Sequence, residues 1–259
     1  MTPPILSSPA KLMSVLVPDA HIHLSCLSHE DRQDFYCSKD SPPICLCSAT
    51  PDDWDTIADW ARRYPHVIVP SFGIHPWSIN ETSLTHMDKL HALLDEFPQA
   101  GIGEIGLDQT RHTNASLPLQ QQLLQAQLEL AVKEKRVVTL HGVHAWGHLL
   151  DQLNTLPQQI PQILKSPLSL LIHGWQGSQE MLLPFVNKNC YFSLGLNNLR
   201  LEKTKRSLPL IPADRLLVES DNLSNSLDDA TSLLLSLRPD INRQTLQDNF
   251  HRFWRIPLQ

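Results

Sequence analysis

Basic residues are outnumbered in this 259-residue chain, where 21 lysines and arginines face 27 aspartates and glutamates for a formal charge of -6. Bulk composition therefore advertises no nucleic-acid-binding surface, and a polyanionic substrate would have to meet a local positive site. Bound divalent cations would supply one that no count of lysines records. The cysteines, Cys26, Cys37, Cys45, Cys47 and Cys190, show neither the spacing of a disulfide framework nor a paired Cys-x-x-Cys knuckle for zinc. Cys45 and Cys47 share a face of one expected strand and read as packing, and a reducing compartment is the simplest inference. No window approaches the apolar length needed to cross a bilayer. Met1 to Ala10 carries Pro3 and Pro4, lacks a basic region followed by an apolar stretch, and does not resemble a signal peptide. Together these absences favour the cytoplasm and exclude a membrane partner. There is no internal repeat.

What is present is an alternation of short β-branched runs with longer amphipathic ones, the pattern of β-α units around a parallel sheet. The predicted strands are Val15 to Leu24, Ile44 to Ser48, Val67 to Phe72, Gly101 to Gly106, Val137 to Leu140, Leu168 to Ile172, Tyr191 to Leu194 and Leu216 to Glu219. Predicted helices cover Trp54 to Tyr64, Leu84 to Phe97, Leu119 to Lys135, Ala145 to Leu156, Glu180 to Asn187, a weak Asn198 to Lys205, Asp228 to Leu237 and Arg243 to Phe253. Pro51, Pro65, Pro98, Pro118, Pro167 and Pro212 punctuate the changeovers. Gln152 to Pro167 reads as either a frayed helix end or a surface loop. At 41% hydrophobic residues the chain can bury a large core. The expectation is one domain over 1–259, α/β in class, a TIM-like (β/α)8 barrel with a metal site at the carboxyl ends of its strands.

The most informative run is Asp19-Ala20-His21-Ile22-His23. In a strand the two imidazoles point the same way, a ready pair for one metal ion. Further candidate ligands stand at the ends of other apolar runs: His75, Glu104, His141, His173 and Asp221. Packing would explain one buried histidine; several at equivalent positions strain that explanation. Two metals need a carboxylate between them, and Glu104, amid the small residues of Gly101-Ile102-Gly103-Glu104-Ile105-Gly106, is the best bridge. His21, His23 and Asp221 would hold one ion, and His141 with His173 the other. Such ligands suit zinc or manganese and, less comfortably, magnesium. Asp221 would also accept the proton of the attacking water, making Glu104 and Asp221 the catalytic pair. His75 is placed to contact a phosphate and Trp77 to stack on a base. Glu219 is expected to order a ligand or form an interior ion pair, Asp108 to support the loop after strand four, and Asp19 to share the histidines' face and fix an imidazole tautomer.

These residues in this order resemble the TatD family of metal-dependent deoxyribonucleases, a branch of the amidohydrolase-like barrels. The resemblance rests on Asp-Ala-His-Ile-His-Leu from Asp19, Gly-Ile-His-Pro from Gly73 and Gly-Glu-Ile-Gly-Leu-Asp from Gly103. Leu140-His141, Ile172-His173-Gly174-Trp175 and Ile211 to Asp221, ending in Glu219-Ser220-Asp221, extend it. It implies a barrel that binds two or three divalent ions and hydrolyses DNA, often from the 3′ end of single strands. The family's ligand positions fall on His21, His23, Glu104, His141, His173 and Asp221, and its phosphate-contacting histidine on His75. There are departures. Gly142-Val143-His144 stands where family members carry serine-arginine, which takes away one phosphate contact. Leu223 replaces a proline, and the short Asp221 to Asp228 connection lacks an asparagine-glutamate-proline element. That connection leaves the cleft more open or to be completed by another protein. Two alternatives therefore stand beside the nuclease: a metallo-phosphatase or other amidohydrolase-like enzyme on a small substrate, and a subunit of a multiprotein assembly such as a phage-defence complex. No lysine lies in strand four or ends strand five, which argues against a carboxylated-lysine bridge.

Overall fold

A computed structural model describes residues 15–23, 41–110, 113–165, 167–221 and 226–257. The expectations for Met1 to Ala10, Leu24, Cys26, Cys37, Leu223 and the connection from Asp221 to Asp228 lie outside the described residues, wholly or in part.

Eight strands form one parallel sheet in chain order, each paired with the next. They are β1 (Asp19–His23), β2 (Ile44–Cys47), β3 (Ile68–Phe72), β4 (Gly101–Asp108), β5 (Val138–Val143), β6 (Leu170–Ile172), β7 (Tyr191–Leu194) and β8 (Leu216–Val218). Among the described residues the sheet closes through one parallel bridge, Ile22 with Asp221, in which the Asp221 N–H donates to the His21 carbonyl at 2.9 Å. Asp19 fastens the same seam: Ser220 donates its N–H at 3.0 Å and its hydroxyl at 2.5 Å to the Asp19 carboxylate. Around the strands run α1 (Trp54–Arg63), α2 (Met87–Glu96), α3 (Leu117–Lys133), α4 (Trp146–Gln159), α5 (Gln179–Asn187), α6 (Leu196–Arg200), α7 (Glu202–Ser207), α8 (Leu227–Leu237) and α9 (Arg243–Trp254). Local chemistry sets their starts. Ser116, Ser178, Ser226 and Asn242 each accept a backbone N–H of the first turn, satisfying donors the helix leaves unpaired.

The strand alternation divides the core in two. Outward-facing residues such as Ile44, Leu46, Phe72, Ile102, Ile105 and Leu140 pack under the helices, while Ala20, Cys45, Cys47, Val69, Leu171 and Leu217 fill the interior. The interior layer continues into Phe250, Phe253 and Trp254 of α9, so the last helix plugs the amino-terminal end of the barrel. Asn249 ties it down by donating to the carbonyls of Ala213 and Leu216 at 2.8 and 2.9 Å. With that end sealed by hydrocarbon, polar side chains collect at the other.

Two irregularities in register position the polar end. Ile44 and Leu46 lie on one face of β2, yet their partners in β1 are Asp19 and Ile22, three residues apart instead of two. The extra residue takes Asp19 out of phase with His21 and His23. The expected shared face fails for that reason: Asp19 bonds backbone and Ser220, not an imidazole. A matching irregularity falls between Ile102 and Ile105 of β4 and turns Glu104 inward beside Gly103. There is no room for a side chain at Gly103, where a Cβ would lie 2.8 Å from Thr139 Cβ and 2.9 Å from Ser71 Oγ.

Other expectations shift at their edges. Residues 15–18 precede the first strand, and β4 and β5 run further toward the site than predicted. The weak helix becomes α6 and α7, parted by an extended Leu201. The Gln152 to Pro167 stretch combines both readings: α4 continues through Pro157 to Gln159, and a single 3-10 turn, Pro161–Leu164, follows.

Gly106 gives the fold's most exacting backbone position. Its φ is +154° and a Cβ there would meet the His141 carbonyl oxygen at 2.0 Å. Gly106→Ala is expected to destabilise by about 3 kcal/mol or more. Thermal unfolding should show a melting temperature lowered by roughly 6–12 °C.

Candidate metal centre

Glu104 is 1% exposed and is ringed by five imidazoles. Its Oε2 lies 3.3 Å from His21 Nε2 and 3.0 Å from His23 Nε2. Its Oε1 lies 2.5 Å from His141 Nδ1, 2.9 Å from His173 Nε2 and 3.6 Å from His75 Nε2. The two oxygens thus face two groups. Three sets of side chains are close enough to share a cation: His21, His23 and Asp221; His21, Glu104 and His173; and His75, Glu104 and His141. All six residues that the sequence nominated as ligands converge at the carboxyl ends of the strands.

The strands aim these groups, and the next layer of side chains holds them. His23 donates Nδ1–H to the Cys47 carbonyl at 3.2 Å, leaving its Nε2 lone pair for the centre. His141 donates Nε2–H to Asp108 Oδ2 at 3.0 Å, which turns Nδ1 inward. His173 Nδ1 lies 3.4 Å from Glu219 Oε1, and Glu219 is itself held by the Gly174 N–H at 2.9 Å and the Ser193 hydroxyl. Asp108 therefore does more than support a loop, and Glu219 sits in an interior ion pair that orients a candidate ligand. A signal for Asp108 existed: Glu104, Gly106 and Asp108 alternate along one face of β4. Asp221 adopts φ +60°, a left-handed conformation that aspartate tolerates better than most residues. It is the only carboxylate of the set with substantial exposure, at 39%.

Burial alone would push the Glu104 carboxyl up, yet His173, His75, His141 and His21 together hold it well below the usual carboxylate range. Burial would depress His173, but the Glu104 charge raises it to about 10. His141 is raised as well, since Glu104 and Asp108 outweigh its burial. His75 goes the other way. Burial, against the pull of Glu104, lowers it to about 3, so its ring is neutral at pH 7. Because His75 Nδ1 accepts the Trp77 backbone N–H at 3.1 Å, the ring's proton sits on Nε2. His75 thus offers the centre a donor, whereas a metal ligand must offer a lone pair. Asp19 is pushed up to about 7 by burial, against its bonds to Ser220.

The donor set fits divalent cations. His21 Nε2 and His23 Nε2 approach within 3.2 Å of each other, so the two ring nitrogens converge closely enough to reach one cation. The imidazole-rich composition suits zinc or manganese better than magnesium. The residues open onto a cleft of about 530 Å³, lined also by Thr50, Trp77, Gly142, Gln176 and Asn198.

A model of the family described as TatD related DNase matches residues 18–230. Among curated proteins, the chain is similar to the 3′-5′ ssDNA/RNA exonuclease TatD of Salmonella typhimurium, 30% identical over 165 residues, which are 62% of this chain and 60% of that protein. It thus spans less than two thirds of that relative's length. The Cut9-interacting protein scn1 of Schizosaccharomyces pombe is 25% identical over 292 residues, covering 79% of this chain and 87% of that one. A solved TatD homologue from Escherichia coli K12 superposes with a TM-score of 0.78 at 20% identity, covering 93% and 98% of the two chains. That likeness speaks for the fold.

Two outcomes follow from the geometry. Asp108→Asn and Glu219→Gln should each weaken divalent-metal binding about 10- to 100-fold with little change in secondary structure, as measured by calorimetry. Metal must also displace protons from the raised His141 and His173. Affinity should therefore climb with pH from 6 toward the His173 value of about 10, and calorimetry in buffers of different ionisation enthalpy should detect proton release at pH 7.

Proposed function

The chain belongs to the TatD related DNase family, and on that basis we propose that it hydrolyses phosphodiester bonds of DNA by a two-metal mechanism, acting from unpaired, chiefly 3′, ends. The observation that supports this reading is the Glu104 carboxylate, whose Oε2 lies nearest His21 and His23 and whose Oε1 lies nearest His141 and His173. His21, His23 and Asp221 would hold one ion, His141 and His173 the other, with Glu104 between them. Two divalent ions, zinc, manganese or magnesium, would supply Lewis acidity, lowering the pKa of water and offsetting charge on the phosphoryl oxygens.

The chain's own groups do the rest. Asp221, exposed at the cleft and anchored through its N–H to the His21 carbonyl, accepts the proton of the attacking water. His75 donates Nε2–H to a non-bridging phosphate oxygen, where charge develops in the transition state. Asp108 and Glu219 keep His141 and His173 aligned while that charge shifts. We read 1–259 as one catalytic domain. The intact ligand set favours catalysis over a scaffold role in a larger assembly.

One observation favours the second reading, a metallo-phosphatase on a small ester. Among the described residues that line the cleft, none is lysine or arginine, so they offer no cationic track for a long strand. As to location, no helix among the described residues is long and apolar enough to cross a membrane. The buried thiols Cys45, Cys47 and Cys190 carry no disulfide, which supports a reducing compartment such as the cytoplasm.

Metal-reconstituted wild type should shorten a labelled single-stranded oligonucleotide far faster than it hydrolyses a generic phosphate ester, and Asp221→Asn should lose about 100-fold or more of that rate. Equal digestion by both proteins would overturn the assigned mechanism; preference for the simple ester would favour the phosphatase.

A further inference from the structure

Two glutamines interrupt the apolar face of α3. Gln120 and Gln127 are buried among Leu123, Leu124, Leu128 and Ala131 of the same helix. Seven residues separate them, about two turns, so they stand in line on one face. A buried amide costs free energy unless it is bonded. Each of these is bonded to the backbone of a strand end that carries a group of the metal centre.

Gln120 grips Asp108. Among the described residues β3 pairs with β4 no further than Phe72 opposite Ile102, and the Gln109 N–H turns toward β5, donating to the Val143 carbonyl at 3.0 Å. Successive residues of a strand send their backbone groups to opposite sides, which leaves the Asp108 N–H and carbonyl facing away from β5. The Gln120 side chain answers both, accepting the N–H at 2.8 Å and donating Nε2–H to the carbonyl at 3.0 Å, as a neighbouring strand would. The Asp108 carboxylate that orients His141 therefore rests on backbone clamped from the helix. Gln127 Oε1 accepts the Ile74 N–H at 2.9 Å, one residue before His75. Its Nε2 is buried and meets no hydrogen-bond partner among the described residues, a cost that the Ile74 bond must offset.

From this arrangement, and resting on the two-metal reading above, we propose that Gln120 and Gln127 are positioning residues, through which one helix sets the His141 ring, by way of Asp108, and the His75 ring. Neither glutamine lines the cleft. Two loops that follow different strands thereby share one rigid reference, since the pitch of α3 fixes the distance between the two amides. The groups they hold meet at Glu104, where His141 Nδ1 and His75 Nε2 face the same carboxylate oxygen.

Methionine is close to glutamine in length and makes neither bond. Gln120→Met and Gln127→Met would be compared with wild type and with a packing control, Leu124→Ala, which hollows the same buried face and deletes no side-chain hydrogen bond. Two readouts serve: the downfield ring N–H resonances of His141 and His75 in the metal-free protein, which report protons held in hydrogen bonds, and manganese affinity by calorimetry. Gln120→Met should lose the His141 resonance to solvent exchange and bind manganese about tenfold more weakly. Gln127→Met should shift or lose the His75 resonance and keep the wild-type manganese affinity, because His75 acts as a donor and not as a ligand. Leu124→Ala should lower thermal stability and change neither readout. An unmoved resonance in either methionine variant would overturn the role of that glutamine, and equal changes in Leu124→Ala would reduce both to packing. Wild type that binds no manganese while the resonances respond as expected would sink the two-metal reading and leave the positioning role standing. Gln120→Leu and Gln127→Leu take the place of a methionine variant that does not fold.

Discussion

A carboxylate buried in the mouth of a barrel is tenable only if its charge is answered, and the answer organises this molecule. Glu104 is buried to the same degree as the leucines around it, yet it stays ionised because five imidazoles from four strand ends or their loops surround it. Burying a lone carboxylate would cost several kcal/mol. The parallel barrel makes the compensation possible because all its strands point the same way, so residues far apart in the chain end in one small volume. In return the histidines are drawn toward protonation, His173 most plainly, and a cation must compete for the same lone pairs.

The seam between β1 and β8 shows how closely fold and site are joined. Among the described residues a single bridge, Ile22 with Asp221, closes the cylinder, and its hydrogen bond runs between the backbones of two candidate ligands, His21 and Asp221. Asp19, one register step below, seals the same seam through Ser220. Closure and ligand placement are thus one structural event. At the opposite end, Phe250, Phe253 and Trp254 keep the interior dry, which strengthens every electrostatic interaction above them.

Outward from Glu104 the hydrogen bonds form directed strings. His141 leads to Asp108, which also receives the Trp77 indole and the Thr110 N–H. His173 Nδ1 faces Glu219 across a 3.4 Å ion-pair contact that is not a hydrogen bond, and Glu219 in turn receives Ser193 and Gly174. Each string ends in backbone or in the cleft wall, so the orientation of a candidate ligand is set by atoms two bonds removed from it. His75 belongs to the same system with opposite polarity, since the backbone N–H of Trp77 leaves its proton on Nε2, which faces His141 Nδ1 at 3.1 Å and Glu104 Oε1 at 3.6 Å. Similar-looking histidines thereby acquire different chemistry from the partner on the far side of the ring.

Much of this was written in the order of residues. Alternating runs identified eight strands and most helices to within a few positions, because burial of an apolar face has a period that composition must obey. The six converging side chains were visible as polar residues at strand ends, and family resemblance named the same six. Simple alternation puts Asp19 on the histidines' face, but one inserted residue in β1 reverses the side-chain phase, and nothing in the letters marks an insertion in a register that depends on the partner strand. The role of Asp108 is hidden in the sequence for a related reason: it lies in a contact with His141, 33 residues away. The amino-acid sequence by itself determined the periodicities, the caps and the inventory of ligating groups, since these follow from local sterics and solvation. Tertiary structure alone decided which imidazole nitrogens face inward, which oxygen of Glu104 serves which group, and that the barrel seam runs through the site, because each of those depends on distances between strands that only closure of the barrel fixes.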